Sequence, residues 1–480
     1  MKRHLIGLGA LAMALLAAQP VAAVAPKFSD ATESAGLPVD AHTSWGTSVA
    51  DINGDGWPDM LLNRHTQKPV LFLGGATGFT EVALDWPFPM DRHNCAWGEA
   101  NGDGRPDLFC AQGTDVGQNE LWLNTTGGFV ESAGEFGVKR PEDRARTSTW
   151  VDYDQDGDLD LFLGSAPAAG FPDVVMRNDR GTFSDVVTGV EGVRDTESAT
   201  WADWDGNGYP DLLLTSILNK TYAFTNAAGT FSSMTIPALG TRKWYGSAWT
   251  DINGDGQPDL AVIDPHNVRI LRNDGGTFVQ VKNIKIAYGR GLAWVDLNND
   301  GRMDLYVTRT ALTEKPSSKV DRGDWLLMQT KTGGFKLVKP AELIGWAGSG
   351  DGVSALDYNL DLKMDLIVTN GRVRWPGPPK LLQNVFATKK AAAIRLRGTD
   401  WNPLGMGSLI ELTTATFSYK RETQDGTAWN SQSDVAYVHL GLRGQTTGSV
   451  RVTWPNGTID CVTVNAGTIK EVAIGSSPCP

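Results

Sequence analysis

The chain has 480 residues, of which 41% are hydrophobic, and a formal net charge of −12 at pH 7. This length is enough for two or more domains with full cores. The acidic balance, without a basic stripe or patch, excludes a nucleic-acid partner. The 55 glycines and 17 tryptophans, with few amphipathic helical patterns, favour an all-β protein with many tight turns.

The first 23 residues have the pattern of a secretory signal peptide. Basic Lys2 and Arg3 precede an apolar stretch over residues 5–18, and a Val-Ala-Ala cleavage pattern ends at Ala23. A membrane anchor is the alternative, which the short apolar run disfavours. We therefore expect a secreted, periplasmic or extracellular protein with no transmembrane segment after cleavage.

An acidic motif of the form Asp-x-Asn/Asp-x-Asp/Asn-Gly-x-x-Asp recurs seven times, at intervals of roughly fifty residues. These loops 1 to 7 are residues 51–59, 99–107, 152–160, 203–211, 251–259, 296–304 and 357–365. Oxygen side chains at positions 1, 3, 5 and 9 suit Ca²⁺, and the glycine at position 6 permits the sharp turn around the ion. The predicted metal ligands are Asp51, Asn53, Asp55, Asp59, Glu99, Asn101, Asp103, Asp107, Asp152, Asp154, Asp156, Asp160, Asp203, Asp205, Asn207, Asp211, Asp251, Asn253, Asp255, Asp259, Asp296, Asn298, Asp300, Asp304, Asp357, Asn359, Asp361 and Asp365.

The loops differ in quality as cation sites. Glu99 replaces aspartate at position 1 of loop 2, and Asn207 is a neutral ligand in loop 4. In loop 7 Leu362 stands at the glycine position, where a left-handed backbone is costly for a residue with a Cβ. We expect Ca²⁺ at six loops and a weak or empty seventh. A solvated turn rich in Asp, Asn and Gly is the alternative for any single loop, but six intact copies disfavour it.

The loops are not EF-hands, because the closing acid is an aspartate at position 9 and short apolar runs flank each loop. A strand, an acidic loop and a strand place the cation in a β-hairpin turn. A tryptophan often stands two residues before the loop, and we interpret it as packing between neighbouring sheets. These tryptophans are Trp97, Trp150, Trp201, Trp249 and Trp294.

Two further strands follow each hairpin, and four strands make one blade of a propeller. The seventh repeat lacks its fourth strand, whereas residues 27–32 before loop 1 resemble a fourth strand. We therefore predict a seven-bladed propeller over residues 27–388, whose N-terminal strand completes the last blade. Residues 392–480 are predicted to form a small β-sandwich or barrel.

Four cysteines indicate an oxidising compartment. Cys95 and Cys110 flank loop 2 on its two hairpin strands, and Cys461 and Cys479 lie near the ends of the last hairpin. We predict that each of these two pairs forms a disulfide.

Basic and aromatic residues precede the innermost strands of several blades. Inner strands converge on a propeller axis, so these residues should surround the channel mouth opposite the loops. They could hold a carboxylate-bearing sugar or another anion. Local pairing with neighbouring acids is the alternative. The predicted ligand-binding residues are Arg92, His93, Arg146, Arg194, Arg242, Trp244, Tyr288 and Arg290.

The acidic loops and the Asn-x-Gly-x-Phe turns resemble the FG-GAP/VCBS propeller repeats also found in integrin α-subunits. The C-terminal stretch resembles the ASPIC/UnbV domain, in residues 405–408, 429–432, 439–442 and 452–457. Together they are similar to the cartilage acidic protein family and its bacterial relatives. Trp429 and Asn430 depart from the Tyr-Leu that this family tends to have.

Three functional hypotheses follow. The first is a secreted calcium-binding recognition or adhesion protein with structural calcium, which holds a glycan, anion or protein at the propeller mouth or the tail domain. The second is a polysaccharide lyase or sugar dehydratase acting on an acidic sugar at the same mouth. The third is an extracellular scaffold. No catalytic residues are assigned, because no nucleophile, zinc or phosphate motif stands out.

Overall fold

A computed structural model describes residues 27–39, 44–87, 89–113, 118–141, 144–165, 171–216, 218, 220–310, 323–338, 350–371, 377–386, 390–424 and 431–480. The predicted signal segment and the Trp429-Asn430 pair lie outside these residues. Within them the only helical element is a single 3₁₀ turn, Pro237–Leu239. The predicted all-β propeller fold is confirmed. No helix in the described ranges is long and apolar enough to cross a membrane.

In the described part of the chain, seven four-stranded antiparallel sheets form the blades. Strand β1 (Phe28–Asp30) belongs to blade 7, together with the last three strands of the propeller. Blade 1 begins with the following strand of the chain. Blades 1 to 3 are β2 (Gly46–Ala50), β3 (Asp59–Asn63), β4 (Val70–Leu73) and β5 (Thr80–Val82); β6 (Arg92–Gly98), β7 (Asp107–Gln112), β8 (Glu120–Thr125) and β9 (Gly128–Glu131); and β10 (Ala145–Val151), β11 (Asp160–Ser165), β12 (Val174–Asp179) and β13 (Thr182–Val186).

Blades 4 to 7 continue the same order. They are β14 (Ser198–Ala202), β15 (Asp211–Thr215), β16 (Tyr222–Ala227) and β17 (Thr230–Met234); β18 (Gly246–Thr250), β19 (Asp259–Asp264), β20 (Asn267–Asp274) and β21 (Thr277–Lys285); β22 (Gly289–Val295), β23 (Asp304–Arg309), β24 (Trp325–Gln329) and β25 (Phe335–Val338); and β26 (Val353–Leu356), β27 (Asp365–Asn370) and β28 (Gly377–Asn384) with β1. The first strand of each blade is innermost and contacts the first strand of the next blade, from β2 around to β26 and back to β2.

Strand β1 joins the two ends of the ring. It pairs antiparallel with β28, so that Phe28 lies opposite Asn384. The Phe28 side chain is 1% exposed and belongs to the core shared by blades 6 and 7 and the tail. The edge of the last blade is therefore covered by the chain's own N-terminal strand.

The predicted packing role of the loop-flanking tryptophans is confirmed, and a hydrogen bond accompanies it. Each indole Nε1 donates to the innermost strand of the preceding blade; for example, Trp201 donates to Thr149 Oγ1 at 2.8 Å and Trp294 to the Ala248 carbonyl at 3.1 Å. Trp97, Trp150 and Trp249 make the corresponding bonds. Blades 1 and 7 have Val49 and Ala355 at this position instead.

The tail is a β-sandwich of two sheets over one core. The sheets are β29 (Ala391–Arg397), β32 (Tyr437–Gly441) and β35 (Ile469–Ala473), and β30 (Leu409–Thr413), β31 (Ser418–Glu422), β33 (Thr447–Thr453) and β34 (Ile459–Asn465). Strand β29 is central to the first sheet and pairs parallel with β35. Alternate residues of both sheets, such as Ile394 and Val452, are fully buried against each other.

Both predicted disulfides are confirmed. Cys95 and Cys110 are directly opposite in the β6–β7 ladder, and their sulfurs are bonded. Cys461 and Cys479 connect β34 to the C-terminal segment. No free cysteine remains in the described part of the chain.

We predict that Phe28→Ala lowers the free energy of unfolding by about 3–5 kcal/mol, because a buried aromatic side chain is lost from the strand that closes the ring. Denaturant unfolding would measure this change. Val187→Ala is the control, since Val187 is 94% exposed and its loss should change stability by less than about 0.5 kcal/mol. An effect of Phe28→Ala as small as the control's would mean that β1 contributes little to closure.

Candidate metal-binding loops

The seven acidic loops lie where predicted, in the turns between the first and second strands of the blades. Each glycine at position 6 has a positive φ, between 71° at Gly301 and 98° at Gly157. Leu362 adopts the same conformation in loop 7, with φ 61°. The leucine therefore carries a backbone strain that glycine would not.

The position-1 carboxylate organises each loop through backbone amides. In loop 1 Asp51 Oδ1 accepts a hydrogen bond from Gly54 N at 2.8 Å, and Oδ2 accepts one from Gly56 N at 3.1 Å. Asp203 and Asp251 do the same in loops 4 and 5. The loop thus wraps around the position-1 carboxylate.

The aspartate at position 9 has a structural role that the sequence did not reveal. In loop 4 Asp211 Oδ2 accepts a hydrogen bond from Trp204 N at 3.0 Å, and Oδ1 accepts one from Asn226 N at 2.7 Å. It therefore ties the start of the loop to the end of the third strand. All seven loops repeat this pair of bonds through Asp59, Asp107, Asp160, Asp211, Asp259, Asp304 and Asp365.

The third-strand asparagine extends this connection to the neighbouring blade. Asn226 Nδ2 donates to the Tyr153 carbonyl in loop 3 at 2.7 Å, and Asn273 Nδ2 donates to the Trp204 carbonyl in loop 4 at 2.8 Å. Asn124, Gln329 and Asn384 bond to the preceding loop in the same way. The sequence does contain a signal for these hydrogen bonds, because an Asn or Gln recurs at the end of the third strand.

Loops 3 and 4 bring carboxylates together in clusters that could hold a metal ion. Oxygens of Asp152, Asp154 and Asp156 lie within 4.8 Å of one another, as do oxygens of Asp203, Asp205 and Asp211. In loop 3 the Oδ1 atoms of Asp152 and Asp154 are buried and accept no hydrogen bond from the described residues. Buried acceptors without donors are costly, and a hard cation would satisfy them. The residues present therefore fit a divalent cation with oxygen ligands.

Basic side chains neutralise part of the acidity in several loops. The position-5 aspartates of loops 2, 6 and 7 pair with the residue at position 7, as Arg105–Asp103, Arg302–Asp300 and Lys363–Asp361. In loop 3 Arg177 from β12 contacts Asp154 and Asp156. Loops 1, 4 and 5 have an uncharged residue at position 7.

The tail sandwich lies on the loop face of the propeller. Arg397 Nη2 is 3.0 Å from Asp51 Oδ2 in loop 1, and Tyr437 Oη donates to Asp357 Oδ2 in loop 7 at 2.7 Å. Arg443 Nε donates to the Asp300 carbonyl in loop 6 at 2.6 Å. Position-1 carboxylates of two loops are therefore covered by the tail rather than by solvent.

Residues 431–434 of the tail, the plug segment, enter the centre of the ring. Gln432 adds a short parallel bridge to β2: its N donates to the Thr47 carbonyl and its carbonyl accepts from Val49 N. The Gln432 side chain also exchanges hydrogen bonds with the backbone of Trp97 in β6, and Ala355 N in β26 donates to Ser433 Oγ. The plug segment thus contacts the inner strands of blades 1 and 7, which lack the inter-blade tryptophan.

The predicted ligand-binding ring divides into two groups at the opposite mouth. Arg146, Arg194, Arg242 and Tyr288 are exposed or half-buried. Arg92, His93, Trp244 and Arg290 are buried. Arg92 makes a two-point ion pair with Glu120, at 2.5 and 2.7 Å, and Trp244 Nε1 donates to the Leu239 carbonyl. The buried residues support the blades and do not form the exposed surface that we expected.

Acidic partners also contact the exposed members. Arg146 Nη1 lies 2.6 Å from Glu197 Oε1, and Arg242 Nη1 lies 2.9 Å from Asp264 Oδ2. The local pairing considered as an alternative therefore occurs for both arginines. Arg242 remains 48% exposed and can still present its outer nitrogens to a ligand.

A cleft of about 650 Å³ lies between blades 1 and 2 and the tail. Apolar residues such as Leu73 and Leu404 line it, and Asp51, Asn53 and Arg397 supply polar groups. Its size falls in the usual range for small-molecule sites, and such sites often occur at domain interfaces. The first two ligand positions of loop 1 border this space.

We predict that, after removal of divalent cations, the melting temperature falls as pH rises from about 4 to about 8. Unfolded aspartate titrates near about 3.9. Burial raises the folded-state pKa of Asp59 to about 7 and that of Asp211 to about 8. The folded chain then binds more protons than the unfolded chain in this interval, so stability present at low pH is lost as pH passes through the folded pKa values.

Thermal melts across this pH range, with and without saturating Ca²⁺, would test the effect. Calcium favours the charged carboxylates, so it should flatten or reverse the slope. Equal slopes in both conditions would contradict a cation role for these carboxylates.

Comparison with known proteins supports the repeat class. Four overlapping segments, 100–163, 152–214, 203–262 and 251–307, match the FG-GAP-like repeat. No curated protein has a significant sequence match to the chain.

Three solved structures are similar at low identity. A lectin of Agrocybe aegerita that recognises non-reducing terminal N-acetylglucosamine has 16% identity and a TM-score of 0.43, covering 64% of this chain and 82% of that chain. BBS1N in complex with ARL6DN has 10% identity and a TM-score of 0.49, covering 76% and 99%. YCF48 bound to a D1 peptide has 9% identity and a TM-score of 0.47, covering 73% and 95%. The likenesses are weak, so the fold rests on the sheet topology. Residues 100–307 therefore carry FG-GAP-like repeats, and the sheets of the described residues have the topology of a propeller.

Proposed function

We propose that the protein is a secreted, calcium-stabilised binding protein whose calcium ions are structural. The observation that carries this proposal is loop 3, where buried Oδ1 atoms of Asp152 and Asp154 lack a hydrogen-bond donor among the described residues. Ca²⁺ binds to carboxylate and amide oxygens at about 2.3–2.6 Å, and the repeated motif supplies such oxygens at positions 1, 3, 5 and 9.

A structural role follows from the connections of the loops. Each position-9 aspartate joins the hairpin to the third strand, and the third-strand amides bond to the preceding loop. A cation in the loop would therefore stabilise two blades at once. In loops 1 and 7 the tail contacts the position-1 carboxylates, so a cation in loop 1 would lie buried between the propeller and the tail.

The loops should differ in calcium affinity. Loops 1 to 6 retain glycine at position 6, whereas loop 7 has the strained Leu362 there. We propose six calcium sites and a weak or empty seventh. In loop 7 the Tyr437 hydroxyl donates a hydrogen bond to Asp357. The tail thereby supplies part of the stabilisation that Ca²⁺ would supply in the other loops.

The tail resembles the ASPIC/UnbV domain, and we propose this assignment for residues 392–480. The motif around Ser431 and Gln432 forms the plug segment, which bonds to three inner strands. The proposed role of this domain is to close the loop face of the ring. Ligand recognition would then use the opposite mouth or the cleft beside Arg397.

A recognition role for the opposite mouth rests on Arg146, Arg194, Arg242 and Tyr288, the exposed or half-buried members of the predicted ring. Guanidinium groups bind carboxylates in two-point geometry, so an acidic glycan or an acidic protein segment is the favoured ligand class. The proposed localisation is extracellular or periplasmic, which two disulfides support.

We predict that chelation lowers the stability of the protein and that Ca²⁺ restores it. At about 1 mM Ca²⁺ and a dissociation constant of about 0.1 mM, each occupied site adds roughly 1.4 kcal/mol. Six such sites would add about 8 kcal/mol, comparable to the stability of an ordinary domain. Denaturant unfolding in chelator and in calcium would measure the difference.

Asp205→Ala provides a single-site test. Asp205 is exposed, so its loss should have little effect in chelator but cost roughly 1.4 kcal/mol in calcium. Asp274→Ala removes another exposed aspartate, outside the loops, and serves as control. Identical effects of Asp205→Ala in both conditions would count against calcium in loop 4.

We predict that the calcium-loaded protein binds acidic glycans on an array and that Arg242→Ala weakens this binding. Arg272→Ala is the matched control, because Arg272 is similarly exposed at 40% but belongs to β20, away from the mouth. Equal losses with both variants would indicate non-specific charge attraction. Binding unaffected by Arg242→Ala would place recognition elsewhere.

A further inference from the structure

A cluster of two histidines and an aspartate lies apart from the acidic loops, at the opposite end of blades 1 and 2. His65 follows β3, Asp91 immediately precedes β6, and His93 is the second residue of β6. His65 Nε2 lies 2.9 Å from Asp91 Oδ1, and His93 Nε2 lies 3.0 Å from Asp91 Oδ2. One carboxylate therefore faces a ring nitrogen of each imidazole.

The backbone around this cluster is arranged to bring the three side chains together. The β6–β7 register shifts between Arg92 and Asn94, so His93 is the extra residue of a bulge. Bulges commonly redirect a side chain beside a functional site. Asn63 Nδ2 donates to the Arg92 carbonyl at 2.7 Å, which fixes the end of β3, and therefore His65, against the start of β6.

The walls of the cluster leave little freedom to the imidazoles. The Trp45 ring lies 4.5 Å from His65 and 5.5 Å from His93, between ring centroids. Gly113 is close on the other side: a Cβ there would lie 2.2 Å from His93 Cδ2 and 2.7 Å from its Nε2. A residue larger than glycine at this position would displace the imidazole.

The donor set suits a transition metal rather than calcium. Imidazole nitrogen and carboxylate oxygen bind Zn²⁺ at about 2.0–2.2 Å, which places the ligands of a tetrahedral site about 3.3 Å apart. The observed nitrogen–oxygen separations are 2.9 and 3.0 Å, and one ligand atom from each of the three residues lies within 4.8 Å of the others. Asp91 Oδ1 is also buried and accepts no well-aligned hydrogen bond within the described structure, despite the close His65 nitrogen.

We propose that His65, Asp91 and His93 form a binding site for a divalent first-row transition metal of the Zn²⁺ type. Three protein ligands leave a fourth position for water or for a ligand atom, as in catalytic rather than structural zinc sites. The site is independent of the proposed calcium loops, because those offer only oxygen and lie at the other end of the inner strands.

The test is a titration of the full-length protein with ZnCl₂ in millimolar CaCl₂, which saturates the oxygen-only loops. Isothermal calorimetry should show one tight Zn²⁺ equivalent. Because His65, His93 and Asp91 would be direct ligands, His65→Ala, His93→Ala and Asp91→Asn should each weaken it by at least the roughly 10–100-fold that the loss of a hydrogen-bond partner of a ligand costs. Cobalt(II) should give the visible absorption of a nitrogen-containing tetrahedral site, which the same variants abolish.

His266→Ala and Gly192→Ala are the matched controls. His266 lies in the turn between β19 and β20, and a Cβ added at Gly192 would meet no atom within 4 Å, so neither change should affect zinc. Gly113→Ala, in contrast, should weaken zinc binding without removing a ligand. His65 is 17% exposed, and circular dichroism would verify that its variant folds.

Two results would overturn the proposal. One is the absence of a tight zinc equivalent in the presence of calcium. The other is zinc binding that His65→Ala and His93→Ala leave unchanged, with the two variants folded. Either result would mean that the cluster is a hydrogen-bonded His–Asp–His network that stabilises the junction of blades 1 and 2.

Discussion

The hydrogen bonds of the position-9 aspartate are the interaction on which the rest of the structure depends. In every blade this buried carboxylate accepts one backbone amide from the loop and one from the end of the third strand. A buried carboxylate is costly unless it is satisfied by donors and by positive charge. The amides supply the donors, and a cation in the loop would supply the charge. Fold and proposed metal chemistry therefore share the same side chain.

This arrangement connects the loops to the closure of the ring. The third-strand amide side chains donate hydrogen bonds to the loop of the preceding blade. The inner-strand tryptophans donate hydrogen bonds to the innermost strand of the preceding blade. Blades 1 and 7, where the two ends of the propeller ring meet, lack the tryptophan. The plug segment fills this place with Gln432 and Ser433, and β1 covers the outer edge of blade 7. The tail is thus part of the closure of the propeller and not an appended module.

Much of the fold follows from periodic features, and these could be predicted from the sequence. The glycine at position 6 and Leu362 in its place adopt the backbone conformation that the motif requires. Cys95 and Cys110 face each other because they are equally distant from the hairpin turn. Such features depend on neighbours within one blade, so their spacing along the chain determines their geometry.

Features that depend on contacts between blades or domains leave no periodic pattern in the sequence. Arg92 and Trp244 occupy the predicted end of the inner strands, but position along a strand does not determine burial, and both side chains turn into the core. His65 and His93 come from different blades. They meet only because β6 has a bulge at His93 and because Asn63 donates a hydrogen bond to the Arg92 carbonyl. The docking of Arg397 and Tyr437 on loops 1 and 7 likewise arises from the tertiary structure alone.

The most direct test of the central claim is the number of calcium ions bound per chain, measured by equilibrium dialysis against radiolabelled Ca²⁺. Structural calcium in the repeated loops predicts about six ions per chain, from one ion in each glycine-containing loop. A stoichiometry of zero or one would contradict the account, because the loop carboxylates would then be held by protons and internal basic side chains instead.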